Sequence, residues 1–270
     1  MLKDITLGQY FPGNSVIHRL DPRTKLIGLV LYIVALFLAK SYVSYALMAL
    51  VLITLSALAR IRPKTLLSGL KPLIFIVVFT GIINLFYGSG EPLVQFWIFK
   101  ITANGIRTAV FMVLRIMLLV CGTFLLTYTT SPLSLTDGLE MLLNPLKKLR
   151  FPVHELAMMM SIALRFIPTL IEETQKITRA QKARGADFES GSLIKRAKAL
   201  LPLLVPLFVS AFRRADELAM AMEARCYRGG KGRTKMHPLK YALRDLQALI
   251  CLIVLIGLIV LTNKSGIGVI

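Results

Sequence analysis

Hydrophobic positions in this chain gather into long uncharged blocks separated by short, mostly basic connectors. Ser41–Ala59 and Pro72–Gly90 each hold 19 residues without Asp, Glu, Lys or Arg, Ile116–Thr136 holds 21, and Leu246–Asn263 holds 18. A helix rises about 1.5 Å per residue, so roughly 20 apolar residues cross a hydrocarbon core. Leu26–Ala39 has only 14 residues, a length that also suits a buried helix. Lys25 and Lys40 flank it and can snorkel to the two interfaces, with Tyr42 as an interfacial anchor. The pattern predicts an all-α membrane protein with about five transmembrane helices.

The connectors carry their own signals. Asp21 is an N-cap and Pro22 suits the first helical position, where a missing N–H costs nothing. Lys40 and Ser41 turn a tight hairpin between the first two spans, and residues 60–64 form a short inner loop. Residues 88–104, with Gly88, Gly90 and Pro92, predict an external loop with Trp97 at the interface. Arg115 lies eight residues after Arg107. Either it faces a protein interior or polar cavity, as intramembrane arginines do, or the fourth span starts later and Arg115 snorkels outward.

Between the fourth and fifth blocks the pattern becomes amphipathic. Ser134 and Asp137 resemble a capping-box start for a short helix that Asn144-Pro145 interrupts. Leu156–Ile171 is apolar for 16 residues except for Arg165, with Pro168 inside it. It runs on as polar helix through Glu172, Glu173, Lys176, Arg179 and Lys182 to Gly185, and the Glu172/Lys176 spacing supports a helix continuing past the proline. A second unit starts near Ser192 with Lys195, Arg196 and Lys198, passes through the apolar stretch Ala199–Phe212 with Pro202 and Pro206, and ends at Arg225. Neither apolar stretch is long or clean enough for a span. Both predict kinked helices lying along or just under the membrane. Each is about 45–50 Å long if fully helical, a reach that can carry force from the bilayer to a partner.

Charge orients these elements. Of 33 Lys and Arg, four precede the first span, four lie between the second and third, and 20 fall between Thr129 and Arg244. The opposite side holds only Lys40, Lys100 and Lys264. The positive-inside rule therefore predicts a cytoplasmic N-terminus, an external C-terminus and a cytoplasmic region from Thr129 to Arg244. A net charge of +19 raises nucleic acid as a partner, but topology and anionic headgroups account for it, and aromatics do not interleave with the basic residues. The reading is no nucleic acid. Cys121, Cys226 and Cys251 have neither metal spacing nor pairing logic, and two of them fall in spans as small hydrophobes. The first 25 residues are polar and turn-rich, unlike a cleavable signal peptide.

One phrase occurs twice. Ala180, Ala183, Arg184 and Gly185 close the first amphipathic unit, and Ala221, Ala224, Arg225 and Cys226 close the second. Gly185 fits the left-handed position that ends a helix, and a cation there suits the dipole, so an ordinary helix stop explains one copy. Two copies suggest more. The small residues keep each tip slim enough to enter a groove, where a guanidinium can pair bidentately with a carboxylate. His18, His154 and His237 are scattered, and no Ser/His/Asp set, phosphate loop or metal-spaced cluster is present. No catalytic residue is assigned, and the chain reads as a coupling part without a cofactor or metal of its own.

Gly8-Gln9-Tyr10, Ser15 and His18-Arg19-Leu20-Asp21-Pro22-Arg23-Thr24-Lys25 resemble the N-terminal signature of the transmembrane (T) component of energy-coupling factor transporters, the EcfT family. Ala183-Arg184-Gly185 and Ala224-Arg225-Cys226 resemble its paired motifs, with Cys226 where the family often has glycine. The resemblance covers essentially the whole chain. It implies a multi-pass protein of a prokaryotic cell membrane and three regions: a lead and four spans over residues 1–128, cytoplasmic coupling helices over 129–244, and the last span with an external C-terminus over 245–270. It implies two ATP-binding subunits, A and A′, which bind ATP and Mg and receive the Ala-Arg tips in grooves. It further implies a substrate-binding membrane S component that the coupling helices tilt to release a vitamin or metal ion inward.

Cys226 is small enough for tip entry, with less freedom than glycine to end the helix. Seven of 11 methionines lie between Thr129 and Arg244, which suits either a surface serving several partners or a plain apolar helix core. Three other readings are a permease subunit of a conventional ABC importer, a secondary transporter and a membrane scaffold. A permease needs polar residues along its spans, and beyond Asn84, Arg115 and Gln247 there is little. A secondary transporter usually repeats its spans, whereas the repeat here lies outside them.

Overall fold

Asp21 opens the first helix as the capping rule requires, its carboxylate accepting the Arg23 N–H at 2.9 Å. The structure, a computed structural model, describes residues 10–86, 92–96, 99–186, 188, 192–230, 236 and 238–264. Gly8, Gln9, Gly88, Gly90 and Trp97 lie outside the described residues, as do the side chains of Lys195 and Arg196. The fold is all-α with one short hairpin. It divides into two units, Gly8–Met141 with Leu239–Ile270, and Met1–Leu7 with Leu142–Pro238.

The first unit holds α1 (Pro22–Leu38), α2 (Tyr42–Leu58), α3 (Pro63–Gly69), α4 (Ile74–Phe86), α5 (Ala103–Thr129), α6 (Pro132–Leu142) as far as Met141, and α9 (Leu243–Lys264). Their core is Tyr32, Leu36, Met48, Phe111, Leu118 and Ile259, with Cys121 buried among them. Tyr32 Oη donates to the Leu118 carbonyl at 3.1 Å, satisfying the hydroxyl in an apolar setting. A Cβ on Gly122 would meet the Tyr32 ring at 2.5 Å, so only glycine lets α1 and α5 approach this closely.

The ends of α5 differ from the uncharged block. The uncharged block runs Ile116–Thr136, and the helix reaches back to Ala103 and takes in both arginines, in line with the first of the two readings of Arg115. Arg115 Nε donates to Tyr45 Oη at 2.9 Å and Nη2 to the Ala39 carbonyl at 3.4 Å, while Arg107 Nε donates to Tyr42 Oη at 2.7 Å. Arg115 thus faces protein, and partners on α1 and α2 let a charge sit within a helix that charge alone seemed to interrupt. At the other end α5 stops at Thr129. Ser131, not Ser134, caps α6, its hydroxyl accepting the Ser134 N–H at 3.2 Å. The expected loop at 88–104 contains β1 (Pro92–Phe96) and β2 (Phe99–Thr102), paired antiparallel with Gln95 opposite Lys100. Alternation of Val94 and Phe96 with Phe99 and Ile101 gives that segment the strand pattern.

The second unit is built on α7 (Val153–Ala183) and α8 (Leu193–Ala224), 31 and 32 residues long. Pro168, Pro202 and Pro206 all lie inside helix, so each amphipathic stretch is one rod of about 46–48 Å. Among the described residues four helical stretches can cross a membrane by length and composition: Pro63–Phe86, Ala103–Thr129, Val153–Ala183 and Leu243–Lys264. The third differs from the expectation that this stretch is too short and too charged for a span, the helix running through Pro168 to Ala183 as the Glu172/Lys176 spacing predicts.

Candidate functional site

The two repeated phrases end their helices in the same way. At α7 the Gly185 N–H donates to the Lys182 carbonyl and the Ala186 N–H to Gln181, both at 3.0 Å. At α8 the Cys226 N–H donates to Glu223 at 2.8 Å and the Tyr227 N–H to Met222 at 3.0 Å. This is the Schellman pattern, in which a left-handed residue folds the chain back onto the last open carbonyls. Gly185 has φ of 86° and Cys226 has φ of 57°. An L side chain in that region costs about 1–2 kcal/mol, so Cys226 reaches the ending that glycine reaches without penalty.

Ala183, Arg184 and Gly185, and Ala224, Arg225 and Cys226, are all exposed, as are Ala180 and Ala221. Among the described residues neither tip guanidinium makes an ion pair or a hydrogen bond through its side chain. Each arginine therefore stands at the carbonyl end of a long helix, beside small residues, with its five donors open. Such a tip can pair with a carboxylate.

Upstream of the tips α7 and α8 are fastened together. Glu173 Oε2 accepts from Arg214 Nη2 at 2.8 Å and Glu173 Oε1 accepts from the Ser210 hydroxyl at 2.5 Å. Nothing along the chain signals this junction, since Glu173 reads as one more polar residue on a solvated helix face. Along α8, Leu201, Leu204, Val205, Phe208, Val209 and Phe212 form one exposed apolar stripe at helical spacing, with Phe212 69% exposed. A stripe of that size calls for a cover of protein or lipid.

The N-terminal signature acquires a physical role. The Asp245 carboxylate accepts the backbone N–H groups of Asp21 and Ala242, each at 2.8 Å. Arg23 pairs with Asp21 at 2.8 Å and lies 3.8 Å over the Tyr241 ring. Lys25 Nζ donates to the carbonyls of His18 and Thr129 and to the Thr130 hydroxyl. His18 Nε2–H donates to the Phe11 carbonyl at 3.0 Å, leaving Nδ1 to accept from Ser15 at 2.7 Å. Burial works against the charged form of Asp21, yet the Arg23 guanidinium and N–H hold its carboxyl below the ordinary range. Asp245 and Tyr241 escape a sequence reading because they lie more than 200 residues further along the chain. Among the described residues no His, Cys, Asp and Glu come together as a metal site.

These features define a multi-pass helical membrane protein with two exposed, arginine-tipped helices. Residues 13–237 match the family model CbiQ, described as a cobalt transport protein. The chain is 54% identical over 249 residues to the energy-coupling factor transporter transmembrane protein EcfT of Thermosediminibacter oceani, covering 92% of this chain and 94% of that one. It is 52% identical over 260 residues to the protein of the same name from Bacillus subtilis, covering 96% and 98%. With that of Heliobacterium modesticaldum it shares 54% over 265 residues, covering 98% and 100%. The chain belongs to the EcfT family of energy-coupling factor transporter transmembrane proteins. As a member it is a non-catalytic transmembrane coupling subunit, of a family that carries no cofactor of its own.

Proposed function

We propose that the two arginine tips dock in grooves of two ATP-binding subunits, A and A′, and that α7 and α8 relay their motion to a substrate-binding S component. The observation that carries this is the identical ending of α7 and α8, with Ala183, Arg184, Gly185 and Ala224, Arg225, Cys226 exposed at matching positions. Two like tips fit a partner with two like sockets, as a pair of related ATPases has. ATP and Mg belong to those partners. The exposed stripe from Leu201 to Phe212 is the surface offered to the S component, with lipid covering the remainder. The N-terminus and the two tips face the cytoplasm and the C-terminus faces outside, in a prokaryotic cell membrane, as the distribution of Lys and Arg favours. The cargo is a vitamin or other micronutrient selected by the S component.

A permease pathway through this chain has little to run on. Arg115 is committed to Tyr45 and Ala39, and the Asn84 amide donates to the Thr80 carbonyl of its own helix. Affinity purification of the full chain in mild detergent tests the assembly. Two ATP-binding subunits and a small membrane protein should arrive with it in fixed ratio, and arrival alone from cells expressing those partners would sink the reading.

A further inference from the structure

Inside the first unit, at the end where α1 and α9 begin and α2 and α5 finish, lies a cavity of about 470 Å³. Its walls are apolar, among them Gly28, Tyr32, Leu55, Leu125 and Leu252. Apolar cavities stay dry and take apolar ligands, and this one is about three times the size of one that admits benzene. In a membrane the abundant apolar ligand is an acyl chain.

The rim is polar and of one sign. Thr24 lines the cavity and is 2% exposed, yet its Oγ1 finds no hydrogen-bond partner among the described residues. A buried hydroxyl without a partner is costly, but this one is closed off within the wall, so the polar groups open to a ligand are the two cations. Arg244 also lines the cavity, and among the described residues its side chain makes no ion pair or hydrogen bond. Lys25 adds a second positive charge, its three described hydrogen bonds all going to neutral oxygens. No carboxylate lines the cavity, and Asp21 and Asp245 nearby are already engaged with Arg23 and backbone N–H groups.

From this combination we infer that the cavity is a binding site for an anionic glycerophospholipid. One acyl chain fills the space between α1, α2, α5 and α9, and the phosphodiester pairs with Arg244. Basic pockets between transmembrane helices bind such headgroups by the same electrostatics. A lipid held there packs the gap between α1 and α2 at the end where Asp245 clasps α9 to α1. The inference rests on the chain lying in a membrane and is independent of tip docking.

The test uses the full chain with its partners in phosphatidylcholine nanodiscs doped with phosphatidylglycerol that carries a diazirine in its tail. After irradiation, label should concentrate in residues 51–58 and 245–255 relative to the lipid-facing segment 74–86. A phosphatidylcholine probe should label the cavity about fivefold less, and Arg244→Gln should narrow that preference. Ala248→Phe, or Leu55→Trp from the opposite wall should the first fail to assemble, should reduce cavity label to the level of segment 74–86. Excess inorganic phosphate should leave labelling unchanged. The lipid site is overturned if cavity segments label no more than 74–86, if an assembled filled variant labels like wild type, or if the two lipids label alike. Suppression by phosphate would mean that only the anion is recognised. Loss of label whenever the S component is present would give the cavity to that partner.

Discussion

Glu173 and Arg214 pair across two long helices at 2.8 Å, and each lies 11 residues before the tip arginine of its own helix, Arg184 or Arg225. Eleven residues make about three turns, so each junction side chain and its tip arginine lie near the same helix face, about 16 Å apart. The two arms beyond the junction are therefore equal in length. A pair of rods joined at one point with equal free arms can carry a movement at the tips to the other side of the junction.

Breaking that junction should uncouple before it unfolds. The pair is partly exposed, with side-chain exposures of 30% and 23%, so a double-mutant cycle with Glu173→Gln and Arg214→Met should give a coupling energy of about 1 kcal/mol. Substrate uptake in proteoliposomes should fall more than ATP hydrolysis does. Equal losses in both would place the pair in assembly, not relay.

Arg184→Ala and Arg225→Ala should each weaken capture of the ATP-binding subunits roughly thirtyfold, the expected cost of truncating one partner of a buried charge pair. The double variant should insert in the membrane normally and lose ATP-driven uptake. Lysine in place of either arginine should restore only part of the binding, because an ammonium cannot pair bidentately. Pull-down titration and uptake assays read both effects.

Cys226→Gly should stabilise the end of α8 by about 1 kcal/mol, since glycine takes a left-handed φ without a Cβ penalty. Amide hydrogen exchange at Cys226 and Tyr227 should slow, because their N–H groups close the last turn onto Glu223 and Met222. Gly185→Ala should move the matching amides, Gly185 and Ala186, the other way.

Asp245→Asn should cost about 2 kcal/mol, because an amide cannot accept from both the Asp21 and Ala242 N–H groups without turning its NH2 toward one of them. Arg23→Met, which leaves those two bonds intact, should cost less. Thermal unfolding of the two variants in one detergent gives the comparison.

The Asp21 carboxyl is held below its ordinary value of 3.8, so its contribution to stability is present at neutral pH. That contribution should disappear as pH falls from the ordinary value through the lowered one, where the folded state also takes up the proton. An acid titration of wild type against Asp21→Asn should show the gap in stability closing across that interval and unchanged above pH 5.

Much of this was legible along the chain. Uncharged blocks become helices because a bilayer leaves every backbone polar group to be satisfied within the segment. The tips were legible because few residues suit the left-handed helix ending, and an Ala-Arg-small phrase before it repeats. The junction was not, since Glu173 has Lys176 and Arg179 for neighbours and looks like a solvated charge. The start of α5 stayed open between two readings, because Arg107 and Arg115 interrupt the block while Tyr42 and Tyr45, which receive them, sit on another helix.

The sequence by itself determined that this is an all-α membrane protein of the EcfT family, with two arginine-tipped helices and no catalytic set. The helices and their tips follow from local hydropathy, charge distribution and helix-end preferences, which act over a few residues, and the family follows from likeness to its members. Only the tertiary structure decided that Asp245 clasps the first helix, that Glu173 joins α7 to α8, and that an apolar space with an unpartnered Thr24 hydroxyl opens between four helices. These depend on which side chains meet from distant parts of the chain, and spacing along a sequence holds no record of such meetings.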